Sequence, residues 1–213
     1  MLPLTEPELK RGARLLARRD PDLARIRREY GDPPLWAREP GFPTLIHLIL
    51  EQQVSLASAR AAFERLRLAC RGPITPRRVL AFGDGQMKRI GFSRQKMGYT
   101  RELSRAILKR QFDPHALGAL SDDAAREALM ALKGVGRWTA DNYLLMCLGR
   151  PDVWPHGDLA LAAAVQKVKG LAERPSYDAL NEMAAQWKPW RAVAARMLWH
   201  FYLSERRRGD GEA

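Results

Sequence analysis

What constrains this chain most is a helical repeat that is interrupted again and again. Almost every readable segment places its apolar residues three and four apart, which gathers them on one face of a helix, and few segments show the two-residue alternation of a half-buried strand. The segment at 43–68, PTLIHLILEQQVSLASARAAFERLRL, carries the strongest core signal. Leu45, Leu48, Ile49, Gln52, Leu56 and Ala59 can share broad helical faces, while Arg60, Arg65 and Arg67 keep the second half solvated. It reads as one long helix or as two, with Ser55 able to cap a second because its hydroxyl can accept an unpaired amide N–H. Thr75 before Pro76, Ser93 and Ser121 open further helices in the same way, and glycines close them. DPHALGAL and SDDAAREALMAL form a further pair, and helices are expected around WTADNYLLMCL, from Asp158, from Tyr177 to Trp187 and from Trp190 to Tyr202. The expected fold class is all-α and bilobal. No repeat and no Ser-rich linker divides the 213 residues.

The formal charge of +12 implies attraction to polyanions, with nucleic acid the first partner to consider and an anionic membrane the second. The start, MLPLTEPELKRGARLLARRD, lacks the apolar run of a signal peptide, and no segment reaches the roughly 20 apolar residues needed to span a bilayer. Localisation in the cytoplasm, next to the nucleoid, is therefore expected. Cys70 and Cys147 stand apart and are expected to be reduced; two thiolates cannot hold an ordinary iron–sulfur cluster. His47, His115, His156 and His200 have no zinc-ligand spacing.

LKGVGRWTAD, residues 132–141, breaks the helical pattern with two glycines. Gly134 and Gly136 can let successive N–H groups converge on an anion at the start of the following helix, with Lys133 and Arg137 adding charge. The spacing is not that of a nucleotide-binding P-loop, and no strand precedes it. A tight helical connection carrying two solvated cations fits the local pattern equally well.

The wider context resembles a known family. ALKGVGRWTADNYLL followed by VWPHGDLAL is similar to the helix-hairpin-helix and downstream aspartate of DNA glycosylases of the 3-methyladenine DNA glycosylase II group, within the helix-hairpin-helix and Gly/Pro/Asp superfamily. HLILEQQVSLASA, GFSRQKMGYTRELS and QWKPWRAVAARMLWHFY resemble further segments of that group, so the likeness runs from about Pro43 to Tyr202. It implies a helical enzyme that removes alkylated bases from double-stranded DNA. Residues 43–150 would form a central lobe including the hairpin at 132–137, residues 1–42 and 151–205 a second lobe, and 206–213 a flexible tail.

Carried over position by position, the resemblance makes Asp158 the catalytic carboxylate. It gives Lys133, Gly134, Gly136 and Arg137 to DNA phosphate, and Gln52 and Gln53 to the lesion, Gln53 at the position from which some relatives insert a wedge. Trp138, Trp199, Tyr143 and Trp154 become candidates for an aromatic base pocket. Asn142 stands where one familiar pattern has a tyrosine, which leaves the pocket and its substrate range open. Backbone carbonyls of Met130, Leu132 and Val135 match positions that hold a sodium or potassium ion in some relatives; no other cofactor is implied. Relatives that also cut the backbone carry a lysine where Trp138 stands, so a monofunctional, monomeric enzyme is expected. His47, rather than Glu51, matches the added acidic position of adenine-mismatch glycosylases, which weakens that assignment. Read locally, Asp158 is equally an ordinary helix cap, and each tryptophan a core anchor. A non-enzymatic DNA-binding module and a glycosylase for deaminated or oxidised bases are the competing functions.

Overall fold

The computed structural model describes residues 3–211. Among them every regular element is helical, in the order α1 (Glu6–Arg19), α2 (Pro21–Tyr30), α3 (Phe42–Glu51), α4 (Leu56–Cys70), α5 (Pro76–Leu80), α6 (Asp84–Ile90), α7 (Arg94–Leu108), a 3-10 turn at Ala116–Ala119, α8 (Asp122–Met130), α9 (Arg137–Met146), α10 (Leu159–Val168), α11 (Tyr177–Ala185) and α12 (Arg191–Gly211). The chain divides into two compact units, one formed by Arg38–Tyr143 and the other by the residues up to Ala37 together with those from Leu144 onward. No helix of the described residues is long and apolar enough to cross a membrane.

Local capping chemistry explains where the helices of the contiguous unit begin. The side chains of Ser55, Thr75, Ser93 and Ser121 accept the N–H groups of Ser58, Arg78, Lys96 and Ala124. The segment 43–68 thus resolves into two helices separated by Gln52, Gln53, Val54 and Ser55. α3 buries Leu45, Ile46, Leu48, Ile49 and Leu50, and packs on α4 and α7. DPHALGAL forms only the short 3-10 turn, to which His115 lends no side-chain cap.

In the discontinuous unit, α1 and α2 pack on each other and on α12, and α12 also packs on α10. Asp20 ties the α1–α2 elbow: Oδ1 accepts the N–H groups of Asp22 (2.9 Å) and Leu23 (3.2 Å), and Oδ2 accepts the Trp187 indole N–H at 2.9 Å. Lys169 lies 3.5 Å from the same Oδ2. Burial pushes the Asp20 pKa up, but the indole, the two amides and Lys169 more than offset this and hold it below the ordinary carboxylate value. α12 buries Ala192 through Trp199 without a break, so it is the core helix of this unit.

α12 runs on to Gly211, past the expected end at Tyr202 and through most of the segment expected to be a flexible tail. The continuation has anchors: Glu205 accepts the Tyr30 hydroxyl at 2.7 Å, and the Arg208 guanidinium lies 4.8 Å from the Tyr30 ring centroid. Residues 212 and 213 of that expected tail lie outside the described residues.

Candidate functional site

In the contiguous unit, α8 ends at Met130 and α9 starts at Arg137, with the glycine turn between them. The Val135 N–H donates to the Leu132 carbonyl at 3.0 Å and closes the turn. Gly134 has φ +83°, in the left-handed region, and a Cβ there would lie 2.1 Å from the Tyr99 ring. Only glycine satisfies both conditions. Gly136 is different, because its φ is not positive and a Cβ there would meet nothing within 4 Å. Among the described residues neither glycine N–H has a protein acceptor, so both are available at the positive end of α9. Lys133 and Arg137 are exposed beside them, with Arg137 Nε 3.7 Å from the Asp141 carboxylate. Asp141 is buried and also holds Arg126 at 2.7 Å, which fixes the first turn of α9.

The two neighbouring glutamines have different environments. Gln52 Nε2 donates to the Gly134 carbonyl at 2.9 Å and to Thr139 Oγ1 at 3.0 Å, binding the α3–α4 loop to the turn. Gln53 is exposed and left-handed, with φ +56°. Val54 and Leu56, which follow it, are exposed as well. A non-glycine residue in this conformation is strained, and such strain is often kept where a side chain must project. The positions proposed as cation ligands all fall in this region. Leu132 O already accepts the Val135 N–H, which leaves it one lone pair for an ion.

In the other unit Asp158 caps α10. Its Oδ1 accepts the Leu161 N–H at 2.8 Å and the Trp199 indole N–H at 3.2 Å, and the residue is only 6% exposed. The cap and the indole together orient a carboxylate that burial shields from water. Two residues singled out from sequence, Asp158 and Trp199, are thus in direct contact. Trp154 is buried against Trp187, with ring centroids 5.4 Å apart, in the manner of a core anchor. Further along α12, Arg196 is buried with no carboxylate partner among the described residues; Nε, Nη1 and Nη2 donate to the carbonyls of Leu35, Ala192 and Leu145 at 2.8, 3.1 and 2.8 Å. Burial pulls its pKa down to about 10.

The remaining candidates belong to the contiguous unit. Tyr143 is fully buried, and its hydroxyl accepts the Gly41 N–H at 2.9 Å, so its ring offers no face to a ligand. Trp138 is half-buried, and its carbonyl accepts the Asn142 amide at 2.9 Å. His47 stacks on Phe63, at 4.3 Å and 10°, and lies 3.6 Å from Glu51, which Arg38 holds with both Nη atoms at 3.1 and 2.7 Å. Burial lowers the His47 pKa, with Glu51 opposing and Arg38 assisting. Among the described residues no cluster of three His, Cys, Asp or Glu could hold a metal. Among the described residues, neither Cys70 nor Cys147 is in a disulfide. Tyr99 and Thr139, which support the turn and the glutamine loop, carry no sequence signal of that role; only the obligatory glycine at 134 hints that something presses against it.

The family model described as the HhH-GPD superfamily base excision DNA repair protein matches residues 46–190. The chain belongs to this superfamily. Within it, the chain falls in the 3-methyladenine DNA glycosylase II-like group. It is 26% identical over 186 residues to a putative DNA-3-methyladenine glycosylase of Bacillus subtilis, covering 83% of this chain but only 64% of that relative. Among solved structures it is similar to the 3-methyladenine DNA glycosylase of Schizosaccharomyces pombe in complex with abasic DNA, at 25% identity and a TM-score of 0.82, covering 89% of this chain and 95% of that one. It is also similar to a DNA-3-methyladenine glycosidase from Bacillus halodurans, at 26% identity and a TM-score of 0.74, covering 90% and 88%.

Proposed function

We propose that this HhH-GPD protein is a DNA glycosylase that hydrolyses the N-glycosidic bond of alkylated bases such as N3-methyladenine and N7-methylguanine, leaving an abasic site. The observation that carries the reading is the buried Asp158 carboxylate, oriented by Leu161 N–H and Trp199 Nε1–H. Alkylation at adenine N3 or guanine N7 makes the base a cation and a good leaving group. The bond between C1′ and the base nitrogen breaks, and its electron pair leaves with the base. Positive charge builds on the deoxyribose, where a nearby carboxylate attracts it more strongly as the reaction proceeds. Water then adds to C1′, and Asp158 accepts or orients its proton.

The free amides of Gly134 and Gly136, with Lys133 and Arg137, suit a phosphate of double-stranded DNA. A sodium or potassium ion on the carbonyls of Met130, Leu132 and Val135 would add positive charge there. The extruded base leaves a gap in the stack, and the exposed Gln53 is the side chain proposed to fill it. Trp138 offers no amine for a Schiff base, so the enzyme is proposed to be monofunctional, and to act as a monomer close to the chromosome.

The test is single-turnover base release from a panel of duplexes, each with one lesion, using wild type and Asp158→Asn. Asparagine keeps the cap oxygen, so the variant is expected to fold and bind DNA while losing roughly 10²- to 10⁴-fold in rate on N7-methylguanine. An unchanged rate would overturn the role of Asp158. Tight binding without base release from any duplex would make the chain a DNA-binding module, and release confined to deaminated or oxidised bases would change the substrate class.

A further inference from the structure

α3 ends without the common devices of a helix terminus. Its last turn contains no basic residue, and Gln52, which follows it, has φ −59° rather than the left-handed conformation that often closes a helix. The final carbonyls must therefore find partners elsewhere. Ile49 O accepts the Gln52 N–H at 3.4 Å, and Leu50 O accepts Lys96 Nζ–H at 2.8 Å. Lys96 belongs to the first turn of α7 and is half-buried. Burial pulls its pKa down, and among the described residues no carboxylate is paired with it.

Further along α7, Tyr99 presses on the glycine turn. Its ring is what a Cβ at Gly134 would strike, and its hydroxyl accepts Gln95 Nε2 at 2.5 Å. Lys96 and Tyr99 are three residues apart, which makes them neighbours on one helix face. α7 thus touches both the end of α3 and the turn that offers its amides to phosphate. The Gln52 side chain makes a third tie, to the Gly134 carbonyl and Thr139. Among these fixed points stands the exposed Gln53, at φ +56°, with Ser55 opening α4 two residues later.

Closing a helix with a desolvated ammonium costs more than closing it with an exposed lysine of its own last turn. What the buried lysine adds is a fixed spacing between two helices. A strained backbone persists only where its surroundings over-determine it. We propose that Lys96 is a positioning residue for base extrusion: by holding the last turn of α3 it keeps Gln53 in the projecting conformation that fills the gap left by the departing base. The proposal rests on the glycosylase reading and assigns a role to a residue that acts through another.

Lys96→Met, Lys96→Arg and Leu103→Ala are to be compared with wild type in thermal unfolding, in affinity for an undamaged duplex, and in the rate of extrusion. The extrusion probe is a duplex with N7-methylguanine on a fluorinated deoxyribose, which resists cleavage, beside a fluorescent base analogue. Lys96→Met is expected to slow extrusion by roughly tenfold, the weight of one charge-assisted hydrogen bond, while affinity for the undamaged duplex stays within about threefold of wild type. Lys96→Arg keeps a cationic donor and is expected to regain most of the rate. Leu103, buried on the same helix, is the stability control. Leu103→Ala should lower the Tm at least as far as Lys96→Met does, yet extrude at the wild-type rate. Wild-type extrusion in Lys96→Met would overturn the proposal. So would extrusion that falls in step with Tm in Lys96→Met and Leu103→Ala alike, since that describes a structural residue, or slow extrusion in a Lys96→Arg variant of wild-type Tm. A wild-type protein that neither extrudes N7-methylguanine nor releases it from an ordinary deoxyribose would instead sink the glycosylase reading, and this inference with it.

Discussion

Gly134 and Gly136 are two residues apart in one turn, yet alanine should affect them in opposite ways. At Gly134 the φ of +83° is left-handed, which costs an alanine about 1–2 kcal/mol. The added methyl would also sit 2.1–2.5 Å from three Tyr99 ring atoms, and relieving such overlap in a packed site costs about 1–3 kcal/mol more. The turn cannot shift away from the ring cheaply, because Gln52 ties the Gly134 carbonyl to the α3–α4 loop. Gly134→Ala should therefore lose about 2–5 kcal/mol of stability, seen as a Tm lower by roughly 5–15 °C. At Gly136 neither penalty applies, so Gly136→Ala should unfold within about 1 kcal/mol of wild type. Its methyl instead stands where a phosphate must approach the free amides, and losing a charge-assisted hydrogen bond there should weaken duplex binding by roughly ten- to a hundredfold. Calorimetry and fluorescence anisotropy on an undamaged duplex measure the two effects separately. A wild-type Tm for Gly134→Ala would refute the steric argument, and wild-type DNA affinity for Gly136→Ala would refute the phosphate grip.

Gln52→Leu should cost about 1–3 kcal/mol by leaving the Gly134 carbonyl and Thr139 hydroxyl without their donor, and should slow base extrusion followed with a fluorescent base analogue. Extrusion at the wild-type rate would show that the loop needs no anchor. Asp20 has a folded pKa below its unfolded value, so its stabilising effect is present above about pH 4 and fades as pH falls through the folded pKa. Asp20→Asn should lower the urea midpoint near neutral pH and flatten its decline in acid; a decline as steep as wild type would exclude this carboxylate as its source. Arg196→Met should destabilise by roughly 2–5 kcal/mol, since the Leu35 and Leu145 carbonyls lose their donor. A more stable variant would show that the buried charge costs more than its hydrogen bonds return.

The sequence revealed most where the chemistry is local. A cap is a hydroxyl or carboxylate meeting an amide two or three residues on, which is why Ser55, Ser93, Ser121 and Asp158 could be read from their neighbours. Contacts between distant residues left no such trace. Tyr99 lies 35 positions before Gly134, and nothing in either segment pairs them. Gln52 and Gln53 look alike in sequence, but the fold satisfies one with a carbonyl and a hydroxyl and leaves the other projecting. Tyr143 has the helical phase of its neighbours whether it faces a ligand or the core, so its burial could not be read from the pattern. The extension of α12 to Gly211 depends on Tyr30, far away in the chain, while the local run of arginines and glycines suggested fraying.

The discontinuity of one unit bears on how the protein is made. During synthesis from the amino terminus, α1 and α2 leave the ribosome before the whole of Arg38–Tyr143, and α12, against which both pack, only after it. Arg38–Tyr143 emerges in one piece and can fold while they wait. Until then, the apolar faces of α1 and α2, with Leu9, Leu16, Leu23 and Ile26, lack the helix on which both pack in the folded unit. A truncation that removes α12 would therefore leave an early segment without its core, making the nascent chain a client for chaperones rather than a smaller folded protein.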